Sequence, residues 1–199
     1  MINELVLVRH ATCERMDEML FGRTVDAPLA EIGLREAEAM ARVLQPQQET
    51  LIVVSPRRRA QQTAGAIAAR CQGELVTSGA IDELDFGHWS GQTFGELARD
   101  PDWRRWNEQR EAAATPAGER ISDVQARVLD LLHRLRQKFP GRPMVMVSHA
   151  EVIRATLLHW LQAPIEAYAR LAISPASMSR VSLSDWGPRI DGINLRAPL

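Results

Sequence analysis

The chain is 199 residues long, a length that suits one domain with its own buried core. Its 24 lysines and arginines are matched by 25 aspartates and glutamates. No global field therefore marks a nucleic-acid or membrane-surface protein, and any bound anion must be held by a local cluster. The two cysteines, Cys13 and Cys71, cannot build a disulfide framework and belong to no closely spaced metal-ligand set. The apolar run from Leu5 to Val8 is too short for a signal-peptide core or a membrane span, so the expected location is the cytoplasm.

Taken in chain order, Leu5-Val6-Leu7-Val8 reads as a strand buried on both faces. Leu34, Ala37, Ala41 and Leu44 then repeat at helical spacing. Leu51-Ile52-Val53-Val54 is a second buried strand, after which Arg57 and Arg58 begin a helix as solvated charges. Trp89 is expected to pack its loop against the domain, and the stretch Trp103-Arg104-Arg105-Trp106 to form part of a short pair of helices over a site mouth. Ile121, Val124, Val128, Leu131 and Leu135 mark a long amphipathic helix, followed by a third strand at Met144-Val145-Met146-Val147. His88, His133 and His159 read as surface or helix-packing residues. Prolines and glycines are spread as turn punctuation and no repeat appears, so residues 1–199 are taken as a single domain. Alternating strands and helices predict an α/β fold, a three-layer α/β/α sandwich around a mostly parallel open sheet.

In such sheets ligands bind beyond the carboxyl ends of the strands. Arg9-His10, Ser55 to Arg59 and Ser148-His149 all fall there, so three distant segments are predicted to converge on one pocket. The residue types suit phosphate ester chemistry. Arginine forks neutralise phosphate oxygens bidentately at any working pH, and a neutral imidazole is a competent nucleophile near pH 7. A lone histidine after a strand is more often a hydrogen-bonded structural residue; the convergence of two histidines with arginines is what singles out these positions.

Four ordered motifs carry a resemblance to the histidine phosphatase superfamily, which includes cofactor-dependent phosphoglycerate mutases and the α-ribazole phosphatases. They are Leu7-Val8-Arg9-His10 with Pro28-Leu29 and Gly33, Ser55 to Ala64, Glu83 to Gly91, and Val147 to Arg154. The resemblance covers most of the chain and implies a phosphoglycerate mutase-like fold. It implies that His10 attacks phosphorus while Arg9, Arg59 and His149 hold the phosphate oxygens. Glu83 would protonate the leaving oxygen and then deprotonate the hydrolytic water. No metal and no cofactor would be needed, since the arginines and an imidazolium supply the charge.

The chain departs from the family pattern around the phosphate. Ala11 and Ala150 stand where glycine is usual, Cys13 where threonine is common, and Met16 where an asparagine donates to phosphate. Gly22-Arg23 replaces another such segment, with Arg23 as a candidate substitute phosphate ligand. Cys13, between two arginines, is a candidate for a lowered pKa, set against a packing role on the ligand side. Pro116-Ala117-Gly118-Glu119 resembles a family loop that lies near substrate. The function expected is hydrolysis of a small phosphorylated metabolite by a compact enzyme, similar in length to the α-ribazole phosphatases. The alternatives are a mutase-type phosphotransferase, or a phospho-ligand-binding module that has lost efficient turnover. Neither a nucleic-acid nor a membrane partner is expected, and the sequence carries no signal for oligomeric state.

Overall fold

In a computed structural model, which describes residues 3–47, 49–71 and 73–199, strands and helices alternate as the hydrophobic pattern predicts. The elements are β1 (Asn3–Arg9), α1 (Glu31–Leu44), β2 (Leu51–Val54), α2 (Arg58–Ala68) and β3 (Leu75–Thr77). After them come α3 (Phe94–Leu97), α4 (Pro101–Glu108), α5 (Ile121–Lys138), β4 (Met144–Ser148), α6 (Ala150–Trp160), β5 (Met178–Ser184) and β6 (Gly187–Leu195). They build one sheet in the order β3-β2-β4-β1-β5-β6. The pairings among β3, β2, β4 and β1 are parallel. β5 runs against β1 and β6 against β5, so a single strand reverses direction.

The period of two along each central strand divides the core into two layers. Leu5 and Leu7, Leu51 and Val53, and Met144 and Met146 face one side, where they pack with residues of α5, α6 and the short α3 and α4. Val6 and Val8, Ile52 and Val54, and Val145 and Val147 face the other, against α1 and α2. Continuous apolar runs are thus buried on both faces, as the sequence predicts.

All five apolar positions predicted for α5 are buried. In α1, Ala37, Ala41 and Leu44 are buried, whereas Leu34, at the same helical spacing, is 46% exposed. The stripe that meets the sheet runs through Ala37, Met40, Ala41 and Leu44, and Leu34 sits at its edge. His88, His133 and His159 are exposed and Trp89 is buried, as expected.

The predicted helix pair is α3 and α4. A capping box starts α3: the Thr93 hydroxyl accepts from the Glu96 amide at 3.2 Å, while Glu96 accepts from the Thr93 amide at 2.8 Å. Asp100 caps α4 at the Asp102 amide (2.8 Å) and also accepts from the Trp89 indole at 2.7 Å, which ties the helix to the preceding loop. Trp89, Trp103 and Trp106 pack mutually with ring centroids 5.2 to 5.8 Å apart.

Candidate active site

The parallel register sets Arg9, the last residue of β1, beside Ser148, the last of β4. His10 and His149 leave the sheet side by side, with ring centroids 5.2 Å apart. Ser55 follows β2 on the neighbouring strand, and Arg59 projects from the first turn of α2. The predicted convergence is realised at one sheet end: Arg9, His10 and Arg59 line a cleft of about 300 Å³, while Ser55 and His149 are fully buried beside them and do not form its lining.

His10 is buried, and its Nδ1 lies 2.8 Å from the Ala11 carbonyl. A carbonyl only accepts, so Nδ1 carries the hydrogen and Nε2 keeps its lone pair. Burial, with Arg59 and Arg9 nearby, holds the imidazole well below its ordinary pKa. His10 is consequently neutral at pH 7, the state that a nucleophile requires.

Arg59 is buried although charged, and carbonyls aim it. Its Nη2 donates to the Gly22 oxygen at 2.9 Å and its Nη1 to the Val25 oxygen at 3.2 Å. Gly22 lies at φ +54°, and a Cβ there would come within 2.4 Å of the Ser90 hydroxyl, so the turn that presents its carbonyl requires glycine. Arg9 donates from Nη1 to the Ile173 oxygen at 2.7 Å, and its Nε is buried with no partner among the described residues. Burial lowers both arginines from their ordinary pKa, yet each starts so high that it stays charged.

His149 is fully buried at the head of α6. Arg59 Nε donates to its Nδ1 at 3.3 Å, which makes Nδ1 the acceptor and leaves the hydrogen on Nε2. That Nε2 is 2.7 Å from Ser55 Oγ, whose hydroxyl in turn donates to Asp82 Oδ1 at 3.2 Å. Burial and the surrounding cations hold His149 well below its ordinary pKa. In the free site the arginines therefore supply the positive charge.

Glu83 stands opposite, with Oε2 3.8 Å from His149 Nδ1. Burial is the main cause that pushes its pKa up to about 7, with a further push from Glu151. About half of it is thus protonated at neutral pH, suited to both giving and taking a proton. The loop that carries it is braced from behind. Arg23 Nε and Arg127 Nη2 donate to the Glu83 carbonyl at 2.7 and 3.2 Å, and both arginines also pair with Glu119. Gly87, at φ +52°, lets the loop touch the next one, because a Cβ there would lie 1.7 Å from the Pro116 oxygen.

These contacts revise several expectations. Arg23 does not line the cleft; its guanidinium faces Glu119, Asp85 and Asp82, so it supports the Glu83 loop and does not replace a phosphate ligand. Pro116 to Glu119 likewise buttresses that loop from outside the cleft lining. Arg57 is half-buried and paired with Asp82 at 3.0 Å, so only Arg58 is a solvated charge. Cys13 lies behind His10, with Sγ 3.7 Å from Nδ1, and burial pushes its thiol up to about 11, the reverse of an activated cysteine. Met16 does line the cleft, and its sulfur accepts from Arg9 Nη2 at 3.6 Å. Ala150 lines it too, and neither Ala11 nor Ala150 has a positive φ, so their methyl groups bring no backbone strain.

Sequence reasoning passed over the far end of the cleft. Arg110 is sandwiched between the rings of Trp106 and Tyr168, 3.9 and 3.4 Å from their centroids. Glu151 pairs with Arg110 at 2.9 Å and with Arg154 at 3.4 Å, and it accepts from the Tyr168 hydroxyl. Glu151 and Arg154 stand close to His149 in the chain; their spacing of three on a helix is the signal that they share a face.

Comparison with known proteins agrees with this geometry. Phosphoserine phosphatase 1 of Hydrogenobacter thermophilus is 29% identical over 184 residues, covering 92% of this chain and 87% of that protein. A protein named probable phosphoglycerate mutase GpmB, from Yersinia pestis, is 30% identical over 187 residues, covering 92% of this chain and 86% of its own. The solved structure of a mycobacterial glucosyl-3-phosphoglycerate phosphatase superposes with a TM-score of 0.87 at 28% identity, covering 98% of this chain and 99% of the other. A family profile described as histidine phosphatase superfamily (branch 1) matches residues 5–196, and the chain belongs to that superfamily.

Proposed function

We propose that the protein is a metal-independent phosphomonoesterase that hydrolyses a small phosphorylated metabolite through a phosphohistidine on His10. One observation carries the reading: a neutral, buried imidazole whose Nε2 keeps its lone pair lies near the buried Arg59 and the half-buried Arg9. Arg9 and Arg59 neutralise the phosphate oxygens so that Nε2 can approach phosphorus. As the N–P bond forms and the ester P–O bond breaks, protonated Glu83 gives its proton to the leaving oxygen. Water then attacks phosphorus, Glu83 takes a proton from it, and the N–P bond breaks to free His10 and inorganic phosphate. His149 holds a phosphate oxygen: a solvent proton taken up at Nδ1 replaces the hydrogen bond from Arg59 Nε and is donated to the dianion, and Asp82, through Ser55, steadies the imidazolium so formed.

The presence of both nucleophile and acid supports an enzyme over a binding module, which would use neither. Among the described residues no three His, Cys, Asp or Glu side chains gather as a cation site, and no helix is long and apolar enough to cross a membrane. Two free thiols, one of them buried, suit a reducing compartment, and the whole chain is taken to act as a single cytoplasmic domain.

The test is covalent trapping. After incubation with a phosphorus-labelled ester in EDTA and acid quenching, digestion should map an acid-labile label to His10. Label on His149, or none in an active preparation, would overturn the assignment.

A further inference from the structure

The far end of the cleft holds an anion seat that is already taken. Three donors converge on one point: the guanidinium of Arg110, held between two rings, the guanidinium of Arg154, and the Tyr168 hydroxyl. Such a cluster, in the same cleft as the phosphate arginines, is the recognition chemistry for a second anionic group on a substrate. Here Glu151 occupies it from within the chain, with Oε2 on Arg110 and Oε1 toward Arg154 and Tyr168. The pair with Arg110 is buried on both sides, with side chains 6% and 12% exposed, so it is not a solvent-screened surface bridge.

The rest of the leaving-group wall is apolar: Met19, Leu20, Phe86, Phe94 and Trp103 line it. Trp106 lines it as well, and its buried indole N–H has no partner among the described residues, a donor for a neutral acceptor. We propose that Glu151 fills the seat in which a carboxylate on the leaving group would be held, so that the cleft selects phosphate monoesters of uncharged, apolar or aromatic alcohols. The inference rests on the phosphatase reading above and adds a substrate class to it. A leaving group with its own carboxylate finds the donors of Arg110, Arg154 and Tyr168 occupied by Glu151 and one of the two cationic charges already offset, with a like charge at the point of contact.

A matched pair of esters tests this without any variant: phenyl phosphate and 4-carboxyphenyl phosphate, assayed in EDTA. The wild-type protein should favour phenyl phosphate in kcat/KM by about tenfold or more, the scale of a single charge-assisted hydrogen bond. Glu151→Ala empties the seat and should shrink or invert that ratio by about tenfold, with Glu151→Gln, which keeps the volume, moving it the same way by less. Melting curves establish that each variant is folded, and the wild-type ratio decides the matter if neither is. Equal or better turnover of the carboxylated ester by the wild type, or an unchanged ratio in folded Glu151→Ala, would overturn the inference and leave the phosphatase reading standing. Failure to hydrolyse either ester, or any of a panel of phosphorylated metabolites, would overturn both.

Discussion

The two ends of the cleft hold the same residue type in opposite electrostatic states. At the His10 end, the half-buried Arg9 and the buried Arg59 are aimed mainly by carbonyl oxygens, and the carboxyl nearest to them, Glu83, is one that burial pushes toward its neutral form. At the far end, Arg110 and Arg154 share the carboxylate of Glu151. Carbonyls orient a guanidinium without neutralising it, whereas a carboxylate does both. One cleft therefore holds a pair of arginines aimed by carbonyls beside a pair that shares a single carboxylate, which offsets about half of their charge.

The largest way to break this contrast is at Arg59. Arg59→Lys keeps one charge but loses the fork, and with it two charge-assisted bonds, so kcat/KM should fall by about 10²- to 10⁴-fold. The Gly22 and Val25 carbonyls and His149 Nδ1 would lose donors as well, so thermal melting must accompany the kinetics. A loss under tenfold in a folded variant would mean that Arg59 does not hold the phosphate.

The next effect lies between the ends, at Glu83. Glu83→Gln should slow phosphorylation about a hundredfold for alkyl phosphates and much less for aryl phosphates, because a general acid matters where the leaving oxygen needs a proton. In the wild type the acid form is lost as pH rises through about 7, so kcat/KM for alkyl esters should decline on the alkaline side of that value. Equal slowing of both ester classes in pre-steady-state measurements, or an alkaline limb that persists unchanged in Glu83→Gln, would remove Glu83 from the role.

The contrast can also be sharpened. Met16 faces the phosphate end with a thioether, which donates nothing. Met16→Asn adds an amide N–H beside Arg9 and should tighten inorganic phosphate by about tenfold, up to a hundredfold at the limit of a charged hydrogen bond. Inhibition constants for phosphate, measured with melting temperature, check it. Unchanged or weaker binding with a lower melting temperature would show that the loop rejects the amide.

Much of the fold is legible in the sequence because it depends on local pattern. Apolar runs of four residues between helical periodicities are enough to specify strands buried on both faces, and a residue that follows such a strand must emerge at the sheet end. Arg9, His10 and His149 stand out on that ground, and the family resemblance singles out Arg59 and Glu83. Leu34 shares the helical spacing of its buried neighbours yet is exposed, because spacing alone does not say where the centre of a helical stripe falls; the partner surface decides it.

What the sequence could not determine is the pairing of charges. Arg23 and Arg57 look like any cations near a phosphate motif until the Glu83 loop brings Glu119 and Asp82 against them. Cys13 has arginines nearby that would activate it, but desolvation outweighs them, and burial is a tertiary property. The far-end cluster joins Arg110, Glu151 and Tyr168 from three separate segments, 17 to 58 residues apart, with no shared motif. Electrostatic energies fall with distance and rise with burial, and chain separation specifies neither, so a sequence names the groups that can bear charge while the packed structure alone decides which of them are neutralised.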